Sequence, residues 1–245
     1  MSGRWSTRRR TTSTATIGWE QVSGKEPVLY FDTVNHGKNI TEYSYVMQPT
    51  RREQYLGMDN CFVELTELIP DRAFYFVIAD SEGVSEPRWF RTAPWEPTPF
   101  TFVAGGGTKS YGAEREMGRV GNRIVSKLRP LFVLYVGDFV SGSEKLDTEW
   151  QQWLDDWAAD TESEDGRVYP IVPVRGNHET NPEILQRLFA LPTSESYFAF
   201  SVGGELLRLY ALNSEINIDP GSGLRRYELS KGMITQTRWL EEDLV

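Results

Sequence analysis

The sequence predicts two units of different class, an N-terminal β-sandwich followed by an α/β domain with a mainly parallel sheet. Three observations predict it. Short β-rich runs separated by turn residues fill Ala15 to Arg91, with no helical stripe between them. A stiff joint follows in Thr92–Pro99, where Pro94, Pro97 and Pro99 favour extended backbone. Past that joint, apolar runs alternate with segments whose apolar positions step by three and four, the pattern of strands connected by helices. The boundaries expected are 12–93 for the sandwich and 100–245 for the α/β domain.

The first unit reads as strands at Ala15–Glu20, Pro27–Phe31, Tyr43–Met47, Cys61–Leu65, Ala73–Ile78 and Arg88–Arg91. Residues before Ala15 read as a loose tail: Arg4, Arg8, Arg9 and Arg10 are followed by a polar Thr/Ser run rather than an apolar one, so no secretion signal is expected. In the second unit, Phe100–Ala104 reads as a buried strand. A helix follows whose apolar positions Met117, Val120, Ile124 and Leu128 step by three and four, forming one apolar stripe. Leu131–Val136 is the next strand. A helix opened by Asp147 or Thr148 places Trp150, Trp153, Leu154 and Trp157 on one face, a spacing that fits core packing better than a stacking platform for sugars or bases. Ile171–Val174 is a strand, and Asn181 and Pro182 open a helix bearing Ile184, Leu185, Leu188 and Phe189. The pattern then turns antiparallel, Tyr197–Val202 and Leu206–Leu212 flanking a two-residue Gly203-Gly204 connection, and Thr235–Leu244 reads as helix.

Composition narrows function. With 245 residues, 39% hydrophobic and 25% charged, the chain is of ordinary globular type. A formal charge of −9 and a pI near 4.9 argue against nucleic acid and anionic membranes as partners, because both select a basic footprint. No apolar run is long enough to predict a membrane span. The single cysteine, Cys61, rules out an internal disulfide and reads as a small buried side chain. His36, between Asn35 and Gly37, reads as a turn residue.

Chemistry gathers at three strand tips: Gly105-Gly106-Gly107-Thr108-Lys109, then Gly137-Asp138-Phe139-Val140-Ser141, then Gly176-Asn177-His178-Glu179. Each gap holds a helix and the next strand, so the three tips are expected on one edge of a parallel sheet, where open α/β sheets bind ligands. Asp138 offers two oxygens to cations, Asn177 a neutral oxygen, and His178 a group that both ligates and moves protons. Lys109 reads equally as a contact for an anion at the first tip and as a surface lysine.

In these tips the chain resembles the calcineurin-like metallophosphoesterases, in their purple acid phosphatase-like branch. The resemblance runs from Ala15 onward. It takes in Tyr197-Phe198-Ala199-Phe200, Leu212-Asn213-Ser214-Glu215 and the segment Gln236–Leu244, and Leu65–Val77 resembles a fibronectin type III stretch in which Phe74 replaces a frequent tyrosine. It implies a metal-dependent phosphoester hydrolase of acid phosphatase type, acting on a phosphate ester, small molecule or phosphoprotein, with iron, zinc or manganese. Asp138 would bridge two metal ions, Asn177 would ligate one, and Asn177 and His178 would contact substrate. His178 would protonate the leaving oxygen, and Glu179 would support the tip from behind.

Three departures from the family pattern shape the expectation. Gly107 stands where a metal-binding aspartate is usual, Ser141 where purple members carry their coloured tyrosine, and the later histidine motifs do not follow Trp239-Leu240-Glu241 in this sequence. The α/β domain is therefore expected to be truncated, and the hydrolase impaired or inactive with weak metal binding. The alternative is a non-catalytic interaction module that uses the sandwich or the three-glycine nest at 105–107. Without a signal the compartment expected is the cytoplasm, although members of the resembled branch are often exported.

Overall fold

The computed structural model describes residues 3–6, 13–109, 112–142, 146–179, 181, 183–191, 193, 195–217 and 231–244. Two antiparallel sheets form its first part. One holds β1 (Gly3–Ser6), β2 (Ala15–Glu20), β5 (Arg51–Tyr55) and β6 (Met58–Leu65) in the order β1-β2-β6-β5. The other holds β3 (Val28–Asp32), β4 (Tyr45–Met47), β7 (Ala73–Asp80), β8 (Gly83–Val84) and β9 (Arg88–Arg91), with β4-β3-β7 in order and both β8 and β9 paired to β7. The core between them is built by alternate residues of both sheets, among them Ile17, Trp19, Val63, Leu29, Phe74, Phe76 and Phe90. Cys61 is wholly buried there, and burial pushes its thiol up to about 11.

Two expectations fail here. Part of the supposed tail is a strand, since Gly3–Ser6 pairs antiparallel with Trp19–Thr16 and covers the open edge of β2. The run Arg51–Tyr55 is also a strand, hidden in the sequence because Arg51, Arg52, Glu53 and Gln54 are all charged or polar and the strand lies on an edge. At the Leu65–Val77 corner, Phe74 is buried and stacks on Phe90 at 5.9 Å. Buried Thr92 ties this corner, its hydroxyl donating to the Ile69 carbonyl at 2.7 Å and accepting from the Arg72 N–H at 2.9 Å.

The second part is α/β. Strands β10 (Val103–Gly105), β11 (Val133–Val136) and β12 (Ile171–Val174) pair in parallel in that order. Between them run α1 (Gly112–Leu128) and α2 (Leu146–Thr161), each the crossover that parallel pairing requires. Pro173 is tolerated because β12 is an edge of this sheet. Then come α3 (Ile184–Leu188), a separate antiparallel pair β13 (Phe198–Val202) and β14 (Leu207–Ala211), and α4 (Lys231–Asp243). The turn between β13 and β14 takes four residues rather than two: Val202 pairs with Leu207, and Gly203 and Gly204 both adopt left-handed backbone inside it.

The two crossover helices bury different things. In α2 the stripe is core as expected: Trp150, Trp153 and Trp157 are at most 3% exposed and pack with Tyr135, Phe139 and Phe189. In α1 the expected stripe points outward. Met117, Val120, Ile124 and Leu128 are exposed, while Asn122 and Val125 face inward. The helix is held instead by ion pairs to α2, Arg115 with Asp156 at 2.6 Å and Arg119 with Asp160 at 2.8 Å. Strand β10 differs likewise from a buried strand, because Ala104 and Gly105 are exposed at the sheet edge.

The two parts are stitched together. Met58 of β6 enters the core under α2, and Val168 enters the sandwich core. Arg88 pairs with Glu162 at 2.8 Å, and the Trp89 indole donates to the Asp165 carbonyl. From β5, Arg51 donates to the Gln186 carbonyl at 2.8 Å and Tyr55 accepts from the Asn181 amide at 3.1 Å, so the sandwich grips the segment just after the third tip.

Candidate functional site

The strand tips converge because two glycines let the backbones touch. Gly137 ends β11 in left-handed backbone, and a side chain on it would strike the Gly176 backbone. A side chain on Gly176 would strike Asp138 Oδ1. The next residue, Asp138, is itself left-handed, with φ 55°, a conformation that aspartate tolerates better than most residues and that is typical of sites where geometry is imposed by surroundings.

Buried Glu179 imposes that geometry. Its carboxylate accepts three backbone N–H groups, from Gly176 at 2.8 Å, Asp138 at 2.9 Å and Phe139 at 3.0 Å. One side chain thereby fixes the second and third tips against each other. Burial raises its proton affinity, against the opposing pull of those three donors. Behind the tip, Arg175 donates to the Glu179 carbonyl at 3.0 Å.

Asp138 and His178 are brought together. His178 Nε2 lies 4.0 Å from Asp138 Oδ2, both side chains are about a quarter exposed, and the His178 N–H reaches Asp138 Oδ1 at 3.3 Å. The other ring nitrogen, Nδ1, is 2.6 Å from the Ser141 carbonyl, an obligate acceptor, so Nδ1 carries a proton. Asn177 sits on the turn between Gly176 and His178 with its side chain exposed.

The first tip is less engaged. Gly107 lies in left-handed backbone with open space where a side chain would go. Its N–H donates to the Gly137 carbonyl at 2.9 Å, so one donor of the three-glycine nest already has an acceptor, and the Lys109 N–H two residues on reaches the Asp138 carbonyl at 3.4 Å. Thr108 anchors the loop through its hydroxyl, which meets the Tyr135 hydroxyl and the Trp153 indole.

This donor set does not fit a dinuclear metal centre. Glu179 is turned to the backbone, His178 Nδ1 is engaged, Gly107 has no side chain, and among the described residues no group of three His, Cys, Asp or Glu side chains is placed to hold a cation.

Sequence reading missed Glu149. This residue of the first turn of α2 is 2% exposed, and its carboxylate accepts from Ser141 N–H at 2.9 Å and Ser141 Oγ at 2.5 Å. The available signal was its spacing, because Glu149 stands one turn before Trp153 on a face otherwise occupied by tryptophan.

Comparison with known proteins agrees with this geometry. The family model for the calcineurin-like phosphoesterase domain matches residues 108–243, more than half of the chain. Among solved structures, the purple acid phosphatase PPD1 from yellow lupin (Lupinus luteus) seeds is similar over 82% of this chain and 43% of its own length, with a TM-score of 0.61 and 13% identity. PhoD is similar over 82% of this chain and 49% of its own, with a TM-score of 0.59 and 11% identity. The chain thus spans less than half the length of either. No curated protein matches the sequence.

Proposed function

Since the chain belongs to the calcineurin-like phosphoesterase family, whose members use dinuclear metal centres, we propose that its site is a phosphoester hydrolase site with reduced catalytic capacity. One observation carries the reading: a carboxylate and an imidazole meet at 4.0 Å on the ends of adjacent parallel strands, on loops fixed by a buried glutamate. Asp138 supplies the charged oxygens, Asn177 a neutral oxygen donor, and His178 Nε2 faces a phosphoryl or leaving oxygen. The substrate class is a phosphate ester, on a small molecule or a phosphoprotein.

The reduced capacity follows from the donor set. Phosphoryl transfer gains most from cations that neutralise the transferring oxygens, and among the described residues of the three tips Asp138 is the carboxylate with one oxygen, Oδ2, beside the His178 ring rather than on a backbone N–H. A native ligand set would be of the iron, zinc or manganese type, and the open position at Gly107 removes one member of it.

The experiment is hydrolysis of p-nitrophenyl phosphate with added manganese, zinc or iron, in the native chain, Asp138→Ala and Gly107→Asp. The native chain is expected to turn over near background, and Gly107→Asp to raise both turnover and manganese affinity measured by calorimetry. Robust native turnover abolished by Asp138→Ala would overturn the reduced capacity and keep the site; robust turnover indifferent to Asp138→Ala would overturn the site.

For the first 93 residues we propose a fibronectin type III-like module, spanning 12–93 and leading into a phosphoesterase unit at 100–245. Support comes from the strand orders β2-β6-β5 and β4-β3-β7 around one shared core.

A further inference from the structure

Resting on the reading that His178 faces a phosphoryl group, we propose that Glu149 is the positioning residue of this site, acting through Ser141 to hold the His178 imidazole in its Nδ1–H form and so keep Nε2 for the substrate. The chain of contacts is short and buried. The Glu149 carboxylate takes both donors of Ser141, its N–H at 2.9 Å and its hydroxyl at 2.5 Å. Two bonds to one residue fix the orientation of Ser141, and the carbonyl of the same residue meets His178 Nδ1 at 2.6 Å.

The next residue also lies close against His178. Gly142 is left-handed, and a side chain there would come within 2.9 Å of the His178 carbonyl oxygen, so a glycine is what lets the loop approach the third tip. Glu149 lies in the first turn of α2, where the N–H groups of the helix favour a carboxylate.

The consequence concerns which nitrogen is available. The histidine side chain free in water favours the Nε2–H form. In that form Nε2 would point a fixed donor toward Asp138 Oδ2, and no lone pair would remain on that side for a proton from water or substrate. A carbonyl at Nδ1 reverses the preference, because which ring nitrogen carries the proton is set by the bond the other one makes. The carbonyl serves only while it is held in place, and Glu149 holds it.

The test is the tautomer of His178 in the full chain, read from long-range proton–nitrogen NMR correlations of histidine labelled with nitrogen-15. The chain has two histidines, and His36→Gln assigns them. His178 is expected to show its protonated-type nitrogen at Nδ1 in the native chain. That signal should weaken in Glu149→Gln, and in Glu149→Ala the two nitrogens should exchange character. A purely structural role would lower the melting temperature of the variants and leave the tautomer as it was. A native His178 in the Nε2–H form overturns the proposal without any variant, as does an unchanged Nδ1–H signal in folded Glu149→Ala; should that variant not fold, an unchanged signal in Glu149→Gln overturns it. Titration with inorganic phosphate separates the two claims: ring signals of His178 that ignore phosphate while the tautomer is locked overturn the phosphoester reading and leave the role of Glu149 standing.

Discussion

The loops after β11 and β12 and the loop after β10 leave the same sheet edge, yet they are built to different standards. In the first pair one buried carboxylate gathers three backbone donors, and a second buried carboxylate holds the turn at Ser141. The loop after β10 rests on two backbone hydrogen bonds and one threonine hydroxyl, with open space at Gly107. Rigidity in this edge therefore follows the residues that carry charge and protons. Where the site lacks a side chain, the support is thin too.

The largest expected effect breaks the better-built side. Glu179→Ala leaves three donors without their acceptor, and at about 1–3 kcal/mol each even the low end removes about 3 kcal/mol of stability. Urea unfolding measures it, and a loss below about 1 kcal/mol would mean that water replaces the carboxylate and that the contrast is false. The pH dependence has a definite sign. Burial raises the folded carboxyl above its ordinary value of 4.5, so the folded state holds its proton where the unfolded state has lost it. The contribution of this group therefore declines as pH rises from about 4.5 through the raised value, and Glu179→Gln should flatten that part of the stability curve.

A middle effect reaches the third tip from the sandwich. Arg51 donates to the Gln186 carbonyl and lies over the Phe62 ring at 4.0 Å, so Arg51→Ala should cost about 1–2 kcal/mol and speed amide exchange across α3. Unchanged exchange there would show that the sandwich does not steady this segment. The smallest effect sharpens the weak side: Thr108→Val removes the hydroxyl bonds to Tyr135 and Trp153 and should cost at most about 1 kcal/mol in thermal melts, whereas a much larger loss would make the first tip as well supported as the others.

Much of this was legible in the sequence, and the exceptions have physical causes. Strand tips ending in Gly-Asp and Gly-Asn-His-Glu are readable because a glycine is required where backbones touch and the polar residues follow at once. Periodicity was sound for α2 and misleading for α1. Both carry apolar residues three and four apart, but period alone does not say which face meets the sheet, and in α1 arginines paired to α2 aspartates set the orientation. Strand β5 was invisible because an edge strand that grips its neighbour with Arg51 and Tyr55 has no apolar alternation to show. Glu149 looks like a surface carboxylate in sequence, and Glu179 is set behind the tip by the family resemblance alone. Their burial is decided by backbone donors that only the folded loops supply.

The ring cluster beneath the second tip gives the molecule an optical reporter. Phe139, the neighbour of Asp138, stacks on Tyr135 at 4.2 Å and abuts Trp153, which lies nearly parallel to Trp157 at 5.3 Å. Two indoles at that separation couple their transitions and leave a signed band in near-ultraviolet circular dichroism. An occupant that displaces Asp138 is expected to tilt Phe139 against this pair, so loading of the site is to be followed by light, with no label and no turnover.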